Sequence, residues 1–169
     1  MVMAAGSWSS RIEIDGAMPV PVRPVRGQLI HLGWPSPALT RVLWSPNCYL
    51  VPWSDGTVLV GATVEEVGFD ERPTVSGVRS LIDATQRVAP QVDEASFFDA
   101  RVGLRPATPD ELPVIGPSSV FPGLVYACGH FRNGILLAPL TASLIGGLLV
   151  DQTQDEVIDL TTPRRFGDC

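Results

Sequence analysis

Arg105 stands between the apolar stretch Val102-Gly103-Leu104 and Pro106. A guanidinium fixed at a strand end by the next residue's rigid ring can grip a carboxylate through two parallel hydrogen bonds. An ion pair with Asp99, Asp110 or Glu111 is the equally open structural alternative. A second group is Gly129–Gly134, GHFRNG, in which two glycines bound a His, an Arg and an Asn. Such a turn ahead of a helix presents uncommitted N–H groups and a positive dipole end. Its glycines let another molecule approach the backbone closely. That pattern suits an anion or an electron-rich ring, and a structural turn with a solvated Arg132 fits the spacing as well. Tyr49, beside Cys48 in an apolar run, can aim its hydroxyl into a cleft or simply pack. His130 reads more readily as a hydrogen-bonded turn residue than as a catalyst. Asp110 and Glu111 are adjacent, which suits solvated loop charges rather than an acid–base pair, and Cys128 reads as a small core residue.

The elements that must position these residues can be read in order. Val2–Ala5 resembles the end of an apolar strand with no earlier strand to pair with, followed by a Gly-Ser turn. Residues 17–26 alternate with proline and read as an extended connector. Gly27–Leu32 is a strand, Val42–Val51 a second one interrupted at Ser45-Pro46-Asn47, and Thr57–Thr63 a third after the hairpin signal Ser54-Asp55-Gly56. Thr74 or Ser76 can cap an amphipathic helix marked by Val78, Leu81, Ile82, Thr85, Val88 and Ala89 and stopped by Pro90. Ser96–Leu104 reads as a strand and Arg105–Pro117 as a proline-rich ordered loop. Leu124–Cys128 is a short buried strand, Ile135–Val150 a helix apolar on nearly every side, and the tail after Asp151 is polar and ragged. The expectation is an α+β fold: an antiparallel or mixed sheet with one amphipathic helix, plus a closing strand and a long buried C-terminal helix.

Composition narrows the classes of function. The chain has 169 residues, 45% of them hydrophobic and 18% charged, enough apolar content to bury a sizeable core. All 12 basic residues are arginine and scattered, and the net charge is −6, which argues against a nucleic-acid partner. Two histidines, His31 and His130, and three unpatterned cysteines, Cys48, Cys128 and Cys169, give no metal site. Free thiols and the lack of a basic leader point to a reducing, cytoplasmic setting. The 16 residues Ile135–Val150 span roughly 24 Å at 1.5 Å per residue, short of a bilayer core, so a core helix is expected and no membrane.

Longer stretches carry a resemblance. GLRPATPDELPVIG (103–116) followed by GLVYACGHFRNGILLAP (123–139) resembles the C-terminal half of the glycine-oxidase branch of the FAD-dependent D-amino-acid oxidase family. NCYLVP (47–52) and VLVGATVEE (58–66) resemble that family's substrate-domain strands, and AAGSWS (4–9) its last FAD-domain signature. The phosphate-binding GxGxxG that the family carries in its N-terminal half is not in these 169 residues. The resemblance therefore implies the distal part of an oxidase. Residues 1–16 would be a remnant of the FAD-binding domain, 17–105 the substrate-binding lobe, and 106–169 the return to the FAD-binding domain.

Further implications follow residue by residue. Arg105 would bind the substrate carboxylate, with Arg132 and Tyr49 lining the same pocket. His130, Phe131, Arg132, Asn133, Gly134, Ile135 and Leu136 would lie against the flavin. No side chain need act as the catalyst, because the flavin does the chemistry. The implied reaction is hydride transfer from an amino-acid Cα to flavin N5, hydrolysis of the imine, and reoxidation by oxygen to give hydrogen peroxide. The partners implied are a small amino acid or amine, the missing N-terminal half, and a second copy in a homo-oligomer, in a thiamine-biosynthesis setting. The sarcosine-oxidase branch bonds its flavin through a cysteine seven residues before the Asp of its TPD motif. Gly103 stands there in this sequence, so the FAD is expected to be non-covalent and the glycine-oxidase branch is favoured. A flavin-free binding module and a dehydrogenase with another acceptor are the alternative readings.

Overall fold

Alternation of Ile30 and Leu32 with His31 and Gly33 puts two large aliphatic side chains on one face of a strand, and both are buried. That strand belongs to the first of two compact units, Val25–Leu104 and Met1–Pro24 with the residues from Arg105 onward. The computed structural model describes residues 1–153 and 155–167; Cys169 lies outside them.

In Val25–Leu104 the sheet contains β2 (Arg23–Gly33), β3 (Leu43–Trp44), β4 (Tyr49–Pro52), β5 (Thr57–Gly61) and β6 (Ser96–Ala107), in the order β3-β4-β5-β2-β6. Both β2 and β6 run across the boundary between the units. The β4–β5 hairpin closes at Gly56, whose φ of 84° needs glycine, while Asp55 accepts from the Thr57 N–H. Helix α1 (Val75–Val88) buries Leu81, Ala84 and Thr85. Leu81 and Ala84 join Ile30, Leu50, Val58 and Val60 in one apolar core. Thr74 is the cap, accepting from the Gly77 N–H at 3.1 Å, and a turn starting at Pro90 follows the helix.

Two expectations about strands need correction. The connector read over 17–26 ends early, because β2 begins at Arg23 and the backbones of Arg26 and Glu65 exchange hydrogen bonds of 2.9 Å. The loop read over Arg105–Pro117 holds the end of β6 and a further strand, β7 (Val114–Pro117). Pro113 precedes β7 and Pro117 closes it, so the prolines bound the ladder without interrupting it.

In the other unit, β8 (Val125–Cys128) lies between β1 (Val2–Met3), to which it is parallel, and β7, to which it is antiparallel. Val2–Met3 therefore has a partner, supplied from far along the chain. Helix α2 (Gly134–Gly146) follows β8, and a π-turn extends it to Asp151. The described residues of the tail include α3 (Glu156–Thr161), which buries Ile158 against Ile115 and Leu144, and the Thr161 hydroxyl donates to the Ile115 carbonyl.

The expectation of a buried C-terminal helix is not met. Within α2 only Leu144 is buried, while Ile135 is 94% and Leu136 78% exposed. Apolar composition on all sides says that a helix can be covered, and this sheet covers one side of it. By length and composition the run Gly134–Asp151 could also cross a membrane, with a mean hydropathy of 1.8.

Candidate functional site

The turn ahead of α2 is shaped by two residues in the left-handed region, Gly129 (φ 74°) and Phe131 (φ 47°). Glycine is required at 129 on a second count. A Cβ there would come within 2.7 Å of Thr108 Cγ2. Phe131 pays the usual penalty of a bulky residue at positive φ and is held by a backbone bond, its N–H donating to the Pro106 carbonyl at 2.8 Å. The Asn133 N–H donates to the His130 carbonyl, and the Leu137 N–H starts the helical ladder on the Asn133 carbonyl.

Arg105 and Arg132 thus sit on two chain segments tied together beside them, through Pro106 and Phe131. Arg105 is half-buried near the end of β6, and Arg132 and Asn133 are exposed. Two of the three acids considered as structural partners for Arg105 pair with other arginines. Asp99 pairs with Arg101 at 3.0 Å, and Asp110 with Arg165 at 2.7 Å. The Arg165 hydrogen bond holds the Asp110 carboxyl below its ordinary pKa.

The His130 ring turns back along α2, its Nε2 lying 3.0 Å from Thr141 Oγ1. Burial lowers its pKa, favouring the neutral imidazole. Tyr49 belongs to the other unit. Its ring stacks on Trp44, centroids 5.4 Å apart and planes within 13°, and crosses the face of Gly61, where a side chain would collide with it. Cys48 and Cys128 are buried, Cys48 beside the Ser45 hydroxyl.

The start of α2 meets the requirements for a flavin ring. Its first N–H groups, on Gly134, Ile135 and Leu136, have no intrahelical acceptor. Asn133 supplies no side-chain cap and the first turn holds no acid to oppose an electron-rich group. Ile135 and Leu136 add apolar surface. Thr141, Trp44 and Arg165 were not recognised in the sequence: Thr141 is eleven residues from its partner, and Arg165 stands in a tail whose polarity concealed its order.

A family model described as FAD dependent oxidoreductase, DAO, matches residues 1–148. The chain belongs to the DAO family. The match takes in all of α2, so that helix belongs to the part of the chain shared with the family. This DAO-family chain is 42% identical to the bifunctional protein ThiO/ThiG of Nostoc sp. over 161 residues, covering 93% of the chain and 24% of that protein. The crystal structure of glycine oxidase from Geobacillus kaustophilus superposes with a TM-score of 0.84 at 36% identity, covering 91% of this chain and 42% of that one. Iminodiacetate oxidase from Chelativorans sp. gives 0.88 at 30% identity, covering 96% and 45%. The DAO-family chain therefore spans about a quarter to under half of the length of these relatives.

Proposed function

We propose that this chain is the substrate-facing and flavin-facing part of a glycine-oxidase-like enzyme that oxidises a small amino acid or amine. FAD, held without a covalent bond, would accept the hydride from the substrate and pass electrons to oxygen. In this reading residues 17–105 are the substrate-binding lobe, and residues 1–16 and 106–169 belong to the FAD-binding domain. Arg105 binds the substrate carboxylate through its planar fork. Arg132, on the neighbouring segment, lines the same site. The backbone of 130–136 lies along the flavin, with the first N–H groups of α2 at the edge where negative charge grows.

The observation that carries the reading is the Phe131–Pro106 bond, which joins the segment with the carboxylate anchor to the turn at the helix start. Phosphate-binding glycines of the GxGxxG type are absent from the sequence, so the 169 residues alone are expected to hold FAD weakly and to be inactive. The test is a pair of preparations. The chain alone should emerge colourless from gel filtration with added FAD, and a protein joining it to a family dinucleotide-binding half should emerge yellow and form hydrogen peroxide from glycine or a similar amine. A yellow preparation that reduces dyes without consuming oxygen would identify a dehydrogenase. A colourless joined protein would leave a flavin-free module as the reading.

A further inference from the structure

The His130 side chain stands in the flavin-facing turn but is not aimed where the helix start donates. N–H groups of an α-helix point toward its N-terminus. The His130 ring points the other way: it reaches Thr141, seven residues into α2 from Gly134 and roughly 10 Å along its axis. There it borders a cavity of about 340 Å³ between α2 and the β1–β8 strands, with Ala127, Gly134, Ala138 and Ala142 around it. The small side chains leave room for the imidazole. Half-burial lowers its pKa and favours the neutral ring, in which one nitrogen donates and the other accepts.

Gly129 and Phe131, on either side of His130, both have positive φ. The turn is supported by the Phe131 and Asn133 backbone bonds and by this side-chain bond. We propose that His130 is a positioning residue: its hydrogen bond to Thr141 fixes the turn and so aims the N–H groups of Gly134, Ile135 and Leu136. Its side chain acts on the flavin through the backbone of the turn. The inference rests on the reading of this turn as flavin-facing.

Thr141→Val keeps the shape and removes the hydroxyl, and Thr141→Ser keeps the hydroxyl. Native-state amide exchange on the chain alone should rise at least tenfold at Phe131 and Asn133 in the Val variant, and stay within about twofold of the parent in the Ser variant. The Ile30, Leu50 and Val60 amides show that the rest of the molecule is folded. The His130 ring nitrogen resonances should shift in the Val variant only. In the flavin-loaded joined protein, the Val variant should shift the flavin absorbance bands and the Ser variant should not. Unchanged exchange at Phe131 and Asn133 in the Val variant overturns the inference. So does opened exchange with an unaltered flavin spectrum, which makes the bond structural only. A joined parent that takes up no flavin overturns the reading of the turn itself, an outcome recognised before any variant is compared.

Discussion

The Phe131 N–H donates to the Pro106 carbonyl at 2.8 Å, so the turn before α2 and the last residues of β6 form one backbone assembly. Gly129 lets them approach, because its hydrogen faces the Thr108 methyl. Gly129→Ala forces a Cβ into that methyl and a side chain onto a φ of 74°. The expected cost is about 1–3 kcal/mol in denaturant unfolding. Adding Thr108→Ser removes the methyl and keeps the hydroxyl that bonds the Leu112 carbonyl. The double variant should recover part of the loss, and equal stabilities of single and double would show that the contact is not tight.

Much of this assembly was not legible in the sequence, for reasons that differ by residue. Helix α1 announced itself through its apolar spacing, its Thr74 cap and Pro90, because each of those signals is local. The Ser54-Asp55-Gly56 hairpin did so for the same reason. Strand β7 was obscured by prolines that prove to sit at its ends. Burial of α2 was misjudged because composition reports how apolar a helix is and not what lies beside it. The His130–Thr141 and Arg165–Asp110 pairs are invisible to any short motif, since folding brings together residues eleven and fifty-five positions apart.

Gln28 organises the Val25–Leu104 unit from a fully buried position. Its amide donates to Glu65 at 2.7 Å and to the Thr74 hydroxyl at 3.0 Å, and its oxygen accepts from the Thr74 N–H at 2.8 Å. Gln28→Leu should cost roughly 3 kcal/mol, since it breaks three bonds and strands their partners. Gly77→Ala should also destabilise, although alanine favours helix by about 1 kcal/mol. Its Cβ would enter the Gln28 carboxamide. Increased stability in Gly77→Ala, read by thermal melting, would contradict this packing.

Acid should weaken the same network. Burial alone would raise the Glu65 carboxyl, but hydrogen bonds from Arg26, Thr63 and Gln28 outweigh it and its pKa lies below the usual value. A carboxyl depressed in the folded state lends stability above its unfolded pKa, about 4.3, and that stability disappears as pH falls through the folded value. Melting temperature should therefore drop below about pH 4, with a shallower slope in Glu65→Gln. Parallel slopes in the two proteins would remove Glu65 from the account.

Arg165 holds the segment after Arg105 from the far end of the chain. Beyond Asp110 it donates to the carbonyls of Leu112, Pro113, Thr161 and Thr162, and it lies over the Phe166 ring. A lysine cannot reproduce that fork. Arg165→Lys and Arg165→Ala should both open residues 108–113 to non-specific proteolysis, with cleavage there several-fold faster than in the parent. Protection equal to the parent in the lysine variant would mean that charge suffices.

The central claim is that Arg105 is the carboxylate anchor, and Arg105→Ala in the joined, flavin-loaded protein tests it most directly. The measurement is kcat/KM for an amino acid beside kcat/KM for an amine of similar size without a carboxylate. Leaving a desolvated carboxylate unpartnered costs roughly 3–5 kcal/mol, so efficiency on the amino acid should fall by about two to four orders of magnitude. The amine never used the contact and should lose far less, and Arg105→Lys should recover only part of the amino-acid rate. Equal losses on both substrates would contradict the account and make Arg105 a structural residue of the strand end.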